Sequence, residues 1–148
     1  MHTVLQFLSG LQANNNREWF QANKMEYDQS KKILSAFIEK LIARIAVFDP
    51  QISGVEAKDC IFRINRDTRF STNKTPYKNN MGAFIAAGGR KSPFAGYYVH
   101  LQPGECFLSG GIYMPQPDVL KTLRTEIHEK AGEFLQILNK PEFKTQFG

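Results

Sequence analysis

The reading of the fold turns on residues 60–66, "CIFRINR". Upstream, apolar residues recur every three or four positions. Here the period drops towards two, with Ile61, Arg63 and Asn65 on one side of an extended chain and Phe62, Ile64 and Arg66 on the other. A helical period that gives way to alternation marks the start of a sheet.

Working back from that switch, "NNNREWF" (14–20) carries helix-start chemistry. Asn15 as N-cap with Glu18 three residues on makes an Asn form of the capping box. Trp19 and Phe20 are expected in the core. Ile33, Leu34, Phe37, Ile38, Leu41, Ile42, Ile45 and Ala46 then form an i, i+4 double row, the stripe of a helix lying on a core. Asp49–Pro50 stops it. A shorter amphipathic piece, "MHTVLQFLSGL", precedes it and should end near Gly10. Residues 51–59 read as a loop.

Working forward, "GAFIAAGG", "AGYYVHLQPG" and "CFLSGGIYM" are short β-rich runs bounded by Gly and Pro. With 61–67 they predict an antiparallel meander of three or four strands. From "MPQPDVLKTLRTEIHEK" onward the helical period returns, with Pro117 in a first turn and Val119, Leu120, Leu123 and Ile127 on one face. "EFLQILN" and "PEFKTQF" add two short helices split by Pro141. Helices, then strands, then helices give an α+β class: a meander packed by a long N-terminal helix and short C-terminal helices. At 148 residues the chain reads as a single domain over 1–148. Its 42% hydrophobic and 22% charged residues are ordinary globular values, against disorder.

Charge is concentrated. "RINRDTRFSTNKTPYK" (63–78) holds Arg63, Arg66, Arg69, Lys74 and Lys78 against one acid, Asp67, a net of +4 in a chain of +5. Arg90 and Lys91 in "GGRKSP" raise the local excess to +6. A localised excess attracts anions. Arg gives a planar fork, Lys a point charge, and Ser71, Thr72 and Thr75 add hydroxyls. The partner implied is an anionic small molecule or phosphate-containing ligand, held by Arg63, Arg66, Arg69, Lys74, Tyr77 and Lys78, with Asn73, Arg90 and Lys91 secondary. Asp67, held ionised by its neighbours, is the candidate orienting group, base or metal ligand. Two alternatives stand beside this: nucleic-acid binding over a broader basic face, and a structural or protein-interaction domain whose Arg–Asp cluster is a salt-bridge network.

Other chemistry is poorly supported. Cys60, His100, Cys106 and His128 have no close-spaced ligand pairing, so no metal and no cofactor is expected. Both cysteines read as buried thiols. "GGRKS" lacks Walker spacing, and Ser109 is not in a nucleophile elbow. No apolar run approaches the ~18 residues of a membrane span. The start is not that of a signal peptide, and the cytoplasm is the default.

Residues 63–78 also resemble the signature Arg-x-x-Arg-Asp-x-Arg-Phe-x-x-(Asp/Asn)-Lys-x-x-Tyr of a family known as domain of unknown function 2461. Arg63, Arg66, Asp67, Arg69, Phe70, Asn73, Lys74 and Tyr77 match. "NNNREWF", "FDP", "GRKSPFAGYYVHLQPG" and "GGIYMPQP" are similar to that family too. The resemblance implies bacterial occurrence, an α+β domain, no established activity, and members that run several dozen residues beyond "KTQFG".

Overall fold

The computed structural model describes residues 1–148 as seven α-helices and a three-stranded antiparallel sheet, an α+β architecture. The helices are α1 (His2–Ala13), α2 (Arg17–Ala22), α3 (Lys24–Ile45), α4 (Ala57–Cys60), α5 (Pro117–Glu129), α6 (Ala131–Leu138) and α7 (Pro141–Phe147). The strands are β1 (Met81–Ile85), β2 (Gly96–Leu101) and β3 (Phe107–Gly111), in the order β1-β2-β3. The chain divides into two compact units, Met1–Ile112 and Tyr113–Gly148.

The first unit holds the core. Leu34, Ile38, Ile42 and Ile45 of α3 are buried, while the second row, Ile33, Phe37 and Leu41, packs at its margin. Val4, Phe7, Leu8 and Leu11 of α1 join them, with Met81, Ala83, Ile85, Val99 and Leu101 from one sheet face. Fully burying one such side chain stabilises by about 1.5–3 kcal/mol. Register is regular: Ala83 pairs Val99 and Phe84 pairs Tyr98 across β1 and β2, and His100 pairs Phe107 across β2 and β3.

Several boundaries differ from expectation. The helix after "NNN" is capped by Asn16, whose side chain accepts from the Trp19 N–H; Asn15 is used elsewhere. It breaks at Asn23, whose Nδ2 donates to the Trp19 carbonyl. Helix α1 runs past Gly10 to Ala13. The supposed loop 51–59 contains a 3-10 turn, capped by Asp49, and the single turn of α4. Residues 61–67 are not a strand; Ile61↔Ala83 and Asn65↔Tyr77 are isolated bridges. The chain bends at Ile64: Ile64 turns into the core, whereas Phe62 stays half-exposed against Tyr98. Cys60 is buried as expected but Cys106 is exposed, in the turn before β3.

In the second unit Pro117 and Pro141 occupy first helical turns as the sequence predicts. No helix is long and apolar enough to cross a membrane.

Candidate functional site

The basic segment folds as an irregular hairpin. Its arms are joined by Phe62 N–H to Gly82 O (3.0 Å), Lys78 N–H to Ile64 O (2.9 Å) and Arg66 N–H to Pro76 O (2.9 Å). Its base is locked from two directions. Tyr77 is buried, its ring stacked on Phe20 at 4.0 Å between centroids and 13° between planes. Asn15 grips the same residue's backbone: its Oδ1 accepts from Tyr77 N–H (3.1 Å) and its Nδ2 donates to Tyr77 O (3.0 Å). Nδ2 also reaches Asn79 Oδ1 at 3.1 Å. A primary amide presents a donor and an acceptor side by side, as a strand neighbour does, so Asn15 extends the hairpin's pairing by side chain.

The tip is closed by polar side chains. Arg66 turns inward and donates to Thr75 Oγ1, to Thr75 O (3.4 Å) and to Ser71 Oγ (3.4 Å). Asn73 Oδ1 accepts from Thr75 N–H (2.9 Å) and from its hydroxyl (2.8 Å). Lys74 Nζ donates to Thr68 O at 2.9 Å. Asp67 and Arg69 form a two-point pair, Nε to Oδ1 at 3.0 Å and Nη2 to Oδ2 at 2.7 Å, and the Arg69 N–H adds a third bond to Oδ1 at 3.2 Å. The Arg69 side chain and then its N–H hold the Asp67 carboxyl below its ordinary range, against a little desolvation and with further help from Arg63. The pair stands in solvent, so it organises the turn more than it stabilises the fold.

Arg63 and Lys78 behave differently. Arg63 is exposed and makes no hydrogen bond or ion pair with the protein. Lys78 is half-buried, its ammonium 5.6 Å from the centroid of the Phe62 ring. Burial, and secondly the charge of Arg63, push its pKa down. The two residues stand on facing arms at the hairpin's base, since the Lys78 N–H bonds to the carbonyl of Ile64, the neighbour of Arg63, and no carboxylate is bonded to either side chain.

The hairpin does not gather every expected residue. Arg90 donates to the carbonyls of Lys58 (3.1 Å) and Asp59 (2.9 Å), clipping its loop onto the C-terminus of α4. Gly89 permits that contact: its φ is +79°, and a Cβ there would lie 2.8 Å from Asp59 O. Lys91 is exposed beside it. The Tyr77 ring is taken by the core. Beside the tip, an open cleft of about 490 Å3 is lined by Asn16, Arg17 and Glu18 on one side and Thr68, Lys74 and Thr75 on the other. No three His, Cys, Asp or Glu side chains converge as a metal cage would need.

Sequence reasoning missed the role of Asn15. Its only local signal was a run of three Asn where an N-cap requires one. No curated protein and no solved structure matches the chain. A family model described as conserved hypothetical protein (DUF2461) matches residues 3–148, taking in the Asn15 clamp, the whole hairpin and the sheet behind it. The chain belongs to the DUF2461 family.

Proposed function

We propose that the hairpin 63–78 binds an anionic, phosphorylated ligand, and that Arg63 and Lys78 make the first contacts. The observation behind this is their placement: Arg63, with no partner, and the half-buried Lys78 stand on facing arms of the hairpin, where the Lys78 N–H bonds to the carbonyl next to Arg63, and the charge of Lys78 is already disfavoured there. An anion arriving there relieves the repulsion and takes up free donors. Lys74, at the cleft, extends the positive edge. Arg69, oriented by Asp67, adds a further cation at the tip. Asp67 then serves as an orienting group, because both of its oxygens are engaged by Arg69. For Arg66 and Asn73 the structural reading is favoured by their bonds into Thr75, which close the loop. The two free thiols fit a reducing compartment such as the cytoplasm.

The test is thermal stability in orthophosphate, tripolyphosphate and long-chain polyphosphate. A ligand at about 100 times its Kd stabilises by about 2.7 kcal/mol. At this chain length that is an upward shift of roughly 5–10 °C. Arg63→Gln should clearly diminish the shift and keep the unliganded Tm. No shift in wild type with any phosphate, or an undiminished shift in Arg63→Gln, overturns the proposal.

A further inference from the structure

The sheet face turned away from the core carries a run of rings that ends at the Arg63–Lys78 pair. Alternation along β2 sends Val99 and Leu101 into the core and Tyr98 and His100 outward. Phe107 pairs with His100 across β2 and β3, and the two rings stack at 4.7 Å and 12°. Tyr98 packs against both, at 5.8 Å from each. Phe62 meets Tyr98 edge-on at 6.3 Å and has Lys78 over its own ring. Phe62 is 37% and Phe107 43% exposed, so the run is open to solvent at both ends.

Hydrogen bonds hold the two middle rings, Tyr98 and His100, and Phe62 and Phe107 lean on those two. Tyr98 Oη lies 2.8 Å from His100 Nδ1, His100 Nε2 lies 3.3 Å from Gln102 Oε1, and Gln102 Nε2 donates to Glu105 Oε2 at 3.0 Å. Glu105 is thereby engaged at the end of the run away from the cations. Beneath Tyr98, Gly82 leaves room: a Cβ there would stand 3.2 Å from the phenol oxygen and 2.8 Å from Val99 O.

We infer that the phosphorylated ligand is a single-stranded nucleic acid, its backbone on Arg63 and Lys78 and its bases against Phe62 and Phe107. This rests on the anion reading above and adds the chemistry of the ligand's other half. Fixed rings on an open sheet beside unpaired cations are what stacking bases and their phosphates require. A duplex hides its base faces, and a free phosphate makes no use of the rings. The charge matches too, since the hairpin holds +4 of the chain's +5.

The experiment is fluorescence anisotropy of a labelled 12-nucleotide oligothymidylate, with the same-length duplex, long-chain polyphosphate and anionic lipid vesicles in parallel. The single strand should bind most tightly. Its affinity should fall with salt with a log–log slope of at least about −1.4, two phosphate contacts on a single strand. Phe107→Leu and, separately, Phe62→Leu keep apolar bulk and remove the ring. Each should weaken oligonucleotide binding about fivefold or more and leave polyphosphate binding unchanged. Arg63→Gln should weaken both ligands. Two ring variants that bind like wild type overturn the inference, as does tighter binding of duplex or vesicles. Polyphosphate binding without oligonucleotide binding overturns it and spares the anion reading. Binding of neither overturns both.

Discussion

Replacing Asn15 by Ala separates the clamp from a helix cap. Three hydrogen bonds are lost, two of them to the backbone of the buried Tyr77. A net bond contributes about 1 kcal/mol, and a buried N–H or C=O left unpaired costs about 1–3. Part of that is recovered by water at the half-exposed Asn15 position, so the loss should be about 2–3 kcal/mol. Asn16→Ala removes a single cap bond and should cost about 1 kcal/mol. Asn15→Asp keeps the acceptor for Tyr77 N–H but loses both donated bonds, and should fall between wild type and Asn15→Ala. Urea unfolding read by Trp19, the sole tryptophan, measures all three. Asn15→Ala should move the midpoint down by roughly 1–2 M. If Asn16→Ala costs more than Asn15→Ala, or Asn15→Asp equals wild type, the clamp is refuted and Asn15 reverts to ordinary turn chemistry.

Two further outcomes are expected. A thiol reagent at pH 8 should label Cys106 promptly and Cys60 only on unfolding, because burial and then the Asp59 charge push the Cys60 thiol up to about 11; equal labelling in the native state counts against the packing around α4. Lys78 should titrate below 10.5 by carbon NMR of its ε-methylene, and Arg63→Gln should move it back up. The sign follows from linkage: the folded chain binds this proton less tightly than the unfolded chain. The resulting cost is present below the folded pKa and relieved as pH rises towards 10.5. A midpoint unmoved in Arg63→Gln would show that the two cations are not neighbours.

Where periodicity spans several turns, the sequence was enough. The buried row Leu34, Ile38, Ile42 lies where the i, i+4 pattern puts it, and the alternation of Val99 and Leu101 with Tyr98 and His100 yields β2. Legibility failed where a long-range contact overrides local preference. "CIFRINR" alternates like a strand, but Ile64 and Tyr77 both need the core while Phe62 rests on Tyr98, and the bend at Ile64 that allows this breaks the ladder. Asn15 and Asn16 are equally good caps on paper, and only Tyr77, 62 residues away, decides between them. Charge density located the hairpin, yet could not show that Arg66 turns inward while Arg63 stays unpaired, or that Arg90 serves α4.

The hairpin's base has a thermodynamic consequence for recognition. Tyr77 and Lys78 are adjacent, one fixed in the core by Phe20 and Asn15, the other turned outward over Phe62. The Lys78 backbone is therefore positioned by the same event that folds the domain, and its stem is restrained before any partner arrives. A cation on a free loop would have to be ordered at the moment of contact, at about 0.5–1.5 kcal/mol for each long side chain immobilised. Here that entropy is largely lost on folding, so a partner at this position gains selectivity for shape as well as for charge.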